Sequence, residues 1–163
     1  MILVDTSIYI SALTDQDLEH ILQKAHEKAF IISSEIVEKE IEDAADYLRK
    51  IGKKNDAQRL KDIYYAVVSG TIRLTKRVIY LSDKYAAEVK KRISKDRSRE
   101  MSDDFRIVSS AAIGSIEAIV TFNRRTMANP EIIAIYKEVN DKTKLKTPKF
   151  IRTKEELLKF LSS

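Results

Sequence analysis

The chain opens with Ile2-Leu3-Val4-Asp5-Thr6-Ser7, a stretch that predicts a strand followed at once by a helix. Three consecutive apolar residues suit a buried strand, and Thr6 and Ser7 are residue types that favour the start of a helix. Asp5 then lies at the carboxyl end of the strand. Open α/β sheets form their active sites at the carboxyl ends of their strands. We therefore expect acidic residues of later elements to face Asp5.

Short apolar runs alternate with amphipathic helical segments along the rest of the chain. Further strands are predicted at 30–32, 72–74, 118–121 and 145–147, and a charged loop at 95–100. Helices are predicted at 7–13, from Asp15 or Asp17 to about 29, at 35–50, at 56–68, from Ser82 or Asp83 to about 95, at 102–114, 130–139 and 153–161. This alternation predicts a three-layer α/β/α sandwich with a central, mainly parallel sheet of about four to five strands. With no linker or repeat, one domain is expected over residues 1–163.

The composition narrows the classes of function. The chain has 163 residues, of which 44% are hydrophobic and 34% charged, as in globular proteins. There is no cysteine, which excludes a disulfide framework, a thiol nucleophile and a cysteine-bound zinc. His20 and His26 fall on one predicted helix and are expected to face solvent, which disfavours histidine-centred catalysis.

Charge and hydropathy bear on partners and location. No apolar run approaches the roughly 18 residues that a membrane helix needs, and residues 1–4 do not resemble a signal peptide. A cytoplasmic protein without membrane association is therefore expected. The net charge of +5 favours an anionic partner such as nucleic acid, and fits an ordinary basic surface equally well.

Three acidic residues fall at matching places in the predicted elements. Asp5 ends a strand, Glu40 lies in the helix after the second strand, and Asp104 lies in the first turn of an apolar helix. Carboxylates that meet beside apolar surface repel each other unless a cation binds them. Mg²⁺ or Mn²⁺ would suit such a site, which can activate water and hold a phosphate. Each acid also has a simpler interpretation as a helix-capping or solvent-exposed residue.

Four motifs in this order resemble those of the PIN-domain ribonucleases, the family of the VapC-like toxins and several RNA-processing nucleases. They are Ile2-Leu3-Val4-Asp5-Thr6-Ser7, Ser34 followed by Glu40-Ile41, the run from Asp104 through Ile107 and Ser110 to Ala111, and Ile119-Val120-Thr121-Phe122-Asn123. The closing stretch from Thr147 to Ile151 resembles the family's last strand. The resemblance spans nearly the whole chain and implies a PIN-like fold.

This resemblance implies an Mg²⁺- or Mn²⁺-dependent endoribonuclease that hydrolyses phosphodiester bonds of single-stranded RNA. Asp5, Glu40 and Asp104 would be catalytic metal ligands, and Asn123 takes the catalytic position where many relatives carry a fourth acid. Two positions stay open, since Glu38 could replace Glu40 and Asp103 could replace Asp104.

Other residues would support this chemistry. Thr6, Ser7 and Thr121 would orient water or ligands, and Arg124 and Arg125 would contact RNA. Further candidates for phosphate contacts are Lys91, Arg92, Lys95, Arg97 and Arg99, for which a solvated helix end is an equal interpretation. Tyr64, Tyr65 and Tyr85 could stack on bases, although core packing is favoured for most of them.

Two classes of function follow. The first is a nuclease, either a toxin with an antitoxin protein as partner or an RNA-processing enzyme, with a homodimer as a further expected assembly. The second is a catalytically weak RNA-binding or assembly module. Asn123 favours the second class, because a neutral amide adds no charge to a cation site.

Overall fold

A five-stranded sheet lies at the centre of the protein, whose computed structural model describes residues 1–163. The strands are β1 (Ile2–Val4), β2 (Ile31–Ser34), β3 (Val68–Ile72), β4 (Ala118–Val120) and β5 (Lys149–Ile151). Their order across the sheet is β3-β2-β1-β4-β5, and every pairing is parallel. All carboxyl ends therefore meet at one edge of the sheet.

Nine helices flank the sheet. They are α1 (Thr6–Ala12), α2 (Gln16–Lys28), α3 (Glu35–Lys50), α4 (Lys54–Val67), α5 (Lys76–Arg92), α6 (Lys95–Glu100), α7 (Ser102–Ile113), α8 (Pro130–Lys142) and α9 (Lys154–Ser162). Helices and strands together bury one hydrophobic cluster of 38 residues. The predicted α/β/α sandwich with a mainly parallel sheet is confirmed. None of the nine helices is long and apolar enough to cross a membrane.

The first strand occupies the middle of the sheet because all three of its residues are apolar and can be buried on both faces. Ile2 pairs with Ile31 on one side, and Val4 pairs with Val120 on the other. The amide of Asp5 continues the ladder by donating to the Val120 carbonyl at 2.9 Å. Asp5 therefore lies beside the residue that follows β4.

The third strand differs from the predicted strand at 72–74. It begins at Val68, where the helix was expected to end, and includes Ser69 and Gly70, which were expected to form a turn. Gly70 pairs with Ile32 on β2. Because β3 lies at the edge of the sheet, its position depends more on main-chain pairing with β2 than on buried apolar side chains. The hydrophobic pattern of the sequence therefore does not predict where this strand begins.

The predicted start of the fifth helix at Ser82 or Asp83 was wrong. The helix begins at Lys76, with Thr75 as N-cap accepting a hydrogen bond from the Val78 amide at 3.3 Å. Its buried positions include Val78, Leu81 and Tyr85, which share one helical face. The β-branched and aromatic run in its first turns obscured that periodicity.

Two short segments also differ from expectation. Residues 95–100, predicted as a loop, form α6, which Ser94 caps and which buries none of its residues. The last strand lies at Lys149–Ile151 and not at 145–147. Pro148 precedes this edge strand and so removes no ladder hydrogen bond from its interior, and the strand falls within the stretch that the family resemblance indicated.

Candidate active site at the carboxyl edge of the sheet

Asp5 lies at the centre of this edge, and only 6% of its surface is exposed. Its Oδ2 atom accepts hydrogen bonds from the hydroxyls of Thr121 at 2.9 Å and Ser7 at 2.8 Å. The Ser7 hydroxyl in turn accepts from the Phe122 amide at 3.3 Å. One carboxylate oxygen is thus held by two hydroxyls, while Oδ1 receives no hydrogen bond from the protein.

Asp5 occupies the N-cap position of α1 but does not cap it, since its side chain makes no hydrogen bond to the helix amides. Thr6 and Ser7 are the first two residues of the helix, which begins where these residue types indicated. Ser7 turns back to Asp5, and the Thr6 hydroxyl is buried without a hydrogen-bond partner. The simple capping interpretation of Asp5 is therefore excluded.

Glu40 projects from α3 toward Asp5. Burial is the main cause that raises its pKa to about 8, and the nearby charges of Asp5, Asp103 and Asp104 raise it further. Its Oε1 atom is buried and has no hydrogen-bond partner. Thr6 approaches the carboxyl group and lowers its pKa slightly, but the two groups do not reach hydrogen-bond geometry. With this pKa, the carboxyl group of Glu40 favours its protonated form at neutral pH, and a bound cation would favour the ionised form.

Glu38 lies on a different face of the same helix. Burial is the main cause that raises the pKa of Tyr64 and Tyr65 on α4, and the nearby charge of Glu38 raises it further. Ser34 caps α3 by accepting from the Val37 amide at 3.2 Å, and this fixes where the helix starts. The helical rotation from that start directs Glu40, and not Glu38, toward Asp5.

Asp104 enters the site from the first turn of α7. Burial raises its pKa to about 7, with further contributions from the charges of Asp5, Asp103 and Glu100. A hydrogen bond from the Thr126 hydroxyl to Oδ2, at 2.8 Å, opposes this rise. Asp103 is exposed and lies 3.9 Å from Arg106, so Asp104 is the more enclosed of the two acids.

Asn123 organises the loop after β4. Its Oδ1 atom accepts from the Thr126 amide at 3.1 Å, and its own amide donates to the Thr121 hydroxyl at 3.1 Å. This loop places Thr126 against Asp104, a contact that the sequence analysis missed. No pattern in the sequence marks Thr126, because its partner lies on a distant helix.

Six buried side-chain atoms have no hydrogen-bond partner within the chain, on Thr6, Tyr9, Glu40, Glu88, Arg97 and Tyr136. Those of Glu88 and Arg97 belong to side chains engaged in salt bridges. Burial is the main cause that raises the pKa of Tyr9 and of Tyr136, and the charges of Asp5 and Asp104, respectively, raise it further. Of the six atoms, that of Glu40 belongs to a predicted site residue, and that of Thr6 belongs to the residue after Asp5.

The donor set can be compared with the needs of a hard divalent cation. Carboxylate and hydroxyl oxygens are the ligands that Mg²⁺ and Mn²⁺ prefer, and the unpaired Glu40 oxygen lies among them. In this conformation, however, no three acidic side chains are close enough together to form a complete ligand group. The chemistry of the donors therefore fits such a cation, whereas the distances between them in this structure do not.

The basic residues expected to contact RNA lie at the rim. Arg124 and Arg125 are both exposed. Arg124 donates to the Arg152 carbonyl at 3.2 Å, and Arg125 forms a salt bridge with Glu100 at 2.5 Å. Arg125 is therefore partly neutralised.

The exposure of the candidate tyrosines and of the two histidines can be compared with the sequence-based expectations. Tyr64 and Tyr85 are buried in the core, whereas Tyr65 is 54% exposed. His20 and His26 are exposed, as predicted, and lie on α2.

Comparison with known proteins identifies the fold. No family model and no curated protein matches the sequence. The chain is similar to one in the crystal structure of VapBC2 from Rickettsia felis bound to a DNA fragment from their promoter. The TM-score is 0.61 at 17% sequence identity, and the match covers 92% of this chain and 97% of that chain. This likeness confirms the predicted PIN-like fold.

Proposed function

We propose that the chain is a divalent-cation-dependent endoribonuclease that hydrolyses single-stranded RNA at the site around Asp5. The observation that carries the proposal is the burial of Glu40 and Asp104 near Asp5 at the carboxyl edge of the sheet, where burial and the charge of Asp5 raise the pKa of both groups. Mutually repelling carboxyl groups are unfavourable there unless something positive binds between them.

Asp5, Glu40 and Asp104 are the proposed ligands of Mg²⁺ or Mn²⁺. A cation bound here would lower the pKa of a water molecule and offset the charge of the attacked phosphate. Thr121 and Ser7 hold Oδ2 of Asp5 in place, so that Oδ1 faces the site in one orientation. A hydrogen bond from the Thr126 hydroxyl holds Oδ2 of Asp104 in place and favours its ionised form, which is the form that binds a cation.

The proposed biological role is that of a toxin with an antitoxin protein as its partner. The fold that this chain shares with a chain of VapBC2, and its resemblance to VapC-like toxins, support this role. An RNA-processing role uses the same site, and growth arrest on expression separates the two, because only a toxin stops growth when its antitoxin is absent.

The experiment that tests the proposal is cleavage of a labelled single-stranded RNA with Mn²⁺ by the wild type and by Asp5→Asn. The substitution keeps the shape and the acceptor for Thr121 and Ser7 but removes the charge. We expect cleavage to fall by about 100-fold or more, the usual loss when a group acts directly on transition-state charge. Equal cleavage by both proteins would show that the site is assigned wrongly.

A second candidate function is an RNA-binding or assembly module without cleavage. Asn123 favours it, since its Oδ1 is already engaged with the Thr126 amide and brings no charge to the site. RNA binding by the wild type without any Mn²⁺-dependent cleavage would establish this function in place of the first.

A further inference from the structure

A polar groove lies between α5, α6 and α7, on the side of α7 away from Asp104. Its volume is about 350 Å³. Ser82, Ser98, Arg99, Ser102 and Arg106 supply hydroxyl and guanidinium donors to it, and Asp83 is its one acidic residue. Phosphate groups are bound in proteins by this combination of arginine and hydroxyl donors.

The two arginines are the ones that the protein leaves available. Arg92, close in sequence, is paired with Glu138 at hydrogen-bond distance. Arg99 forms no salt bridge and is exposed. Arg106 forms a salt bridge with Asp103 at 3.9 Å, a distance at which its hydrogen-bond donors stay free. The groove therefore keeps positive charge that the neighbouring surface has neutralised.

Ser82 adds a hydroxyl that no other group of the protein uses. Only 5% of the residue is exposed, and it lines the groove from α5. Unlike Ser98, whose hydroxyl donates to the Ala86 carbonyl at 2.8 Å, its hydroxyl makes no hydrogen bond within the chain. The oxygen is not enclosed, so the hydroxyl is free to donate to an acceptor bound in the groove.

The groove is also adjacent to the proposed reaction centre. Ser102 and Arg106 belong to α7, whose first turn carries Asp104 on another face. The groove and the carboxyl groups thus lie about one helix diameter apart, roughly 10 Å. This helix has no side-chain cap at its N-terminus, so its first amides add to the positive potential there.

We propose that this groove binds a backbone phosphate of the single-stranded RNA, so that the strand passes around the N-terminal turn of α7 into the carboxylate site. Arg99 and Arg106 hold the phosphate and Ser82 donates a hydrogen bond to it. That the ligand is RNA rests on the proposed function. That it binds at this place rests on the groove alone.

The test is RNA binding without cleavage. Fluorescence anisotropy of a labelled single-stranded RNA is measured in EDTA from about 50 to 200 mM KCl, for the wild type, Arg99→Gln, Arg106→Gln and Ser82→Ala. Arg77→Gln is the matched control, because Arg77 is exposed on α5, forms no salt bridge and does not line the groove. Circular dichroism verifies that each variant folds.

We expect each arginine variant to bind several-fold more weakly and to have a salt dependence shallower by about 0.7 in slope, the value for one lost phosphate contact on a single strand. Ser82→Ala weakens binding without changing the slope. Groove variants that bind no worse than Arg77→Gln would overturn the proposal. An effect confined to RNA carrying a 5′-terminal phosphate would overturn the assignment to the backbone.

The outcome is independent of the nuclease proposal. If the wild type cleaves no RNA with Mn²⁺ but the groove variants lose binding, the groove stands and the nuclease fails. If the wild type cleaves RNA and the groove variants bind and cleave equally well, the nuclease stands and the groove fails.

Discussion

Glu40 couples the stability of the protein to pH. Its pKa is raised from 4.5 to about 8, so the folded state binds a proton that the unfolded state releases in that interval. Stability from this group is fully present below pH 4.5 and is lost as pH rises through about 8. We expect the melting temperature in EDTA to fall over this range in the wild type and to fall less in Glu40→Gln, as circular dichroism would measure.

Glu38→Gln is the control for this prediction. Glu38 lies on the same helix but faces Tyr64 and Tyr65, so its removal should leave the pH dependence as it is in the wild type. A pH dependence that Glu38→Gln reduces as much as Glu40→Gln does would contradict the assignment of the coupling to Glu40.

Thr126 sets the ionisation of Asp104. Its hydroxyl donates to Oδ2 and opposes the effect of burial, and the pKa of Asp104 with this hydrogen bond in place is about 7. In Thr126→Val the pKa of Asp104 should rise, because the ionised form loses its donor. Because Asp104 must lose its proton to bind the cation, the pH profile of kcat/KM for RNA cleavage should shift to higher pH.

Thr126→Ser should restore the wild-type profile, since it keeps the hydroxyl. A loss of activity by the same factor at every pH in Thr126→Val would mean that the residue only supports the loop.

The fifth helix begins earlier than its sequence pattern predicts because Thr75 caps it. The Thr75 hydroxyl accepts from the Val78 amide, and Thr75→Ala should cost about 1 kcal/mol of unfolding free energy. For a chain of this length that lowers the melting temperature by about 2–4 °C. Urea denaturation measures the change.

Ser69→Ala is the comparison for Thr75→Ala. Ser69 is exposed on β3, so its substitution should change the free energy by no more than about 0.5 kcal/mol. Equal effects of the two substitutions would show that the cap contributes nothing specific.

The molecule as a whole should be stabilised by the cation that its acids are proposed to bind. Because bound carboxylates must lose their protons, added Mn²⁺ should raise the melting temperature more at pH 8 than at pH 5. Asp104→Asn should abolish the rise, whereas Asp96→Asn, an exposed acid on α6, should preserve it. No rise at either pH, or an undiminished rise in Asp104→Asn, would contradict the proposed site.

Much of the architecture could be predicted because its signals are local. The apolar run at Ile2–Val4 and the cap at Ser34 each act within a few residues, and both elements lie where expected. The prediction failed at β3 and β5, which are edge strands. Their side chains pack on fewer neighbours, so hydrophobic pattern constrains them less than pairing with β2 and β4 does.

The parallel sheet and the position of Asp5 at its carboxyl edge follow from the amino-acid sequence, because strand burial and helix starts depend on neighbouring residues. That Glu40 approaches Asp5 while Glu38 faces α4 follows from the packing of the whole chain, since it depends on how α3 is rotated against the sheet. The same packing brings Thr126 to Asp104 and leaves Arg99 without an acidic partner. These contacts join residues far apart in the chain, and no local pattern encodes them.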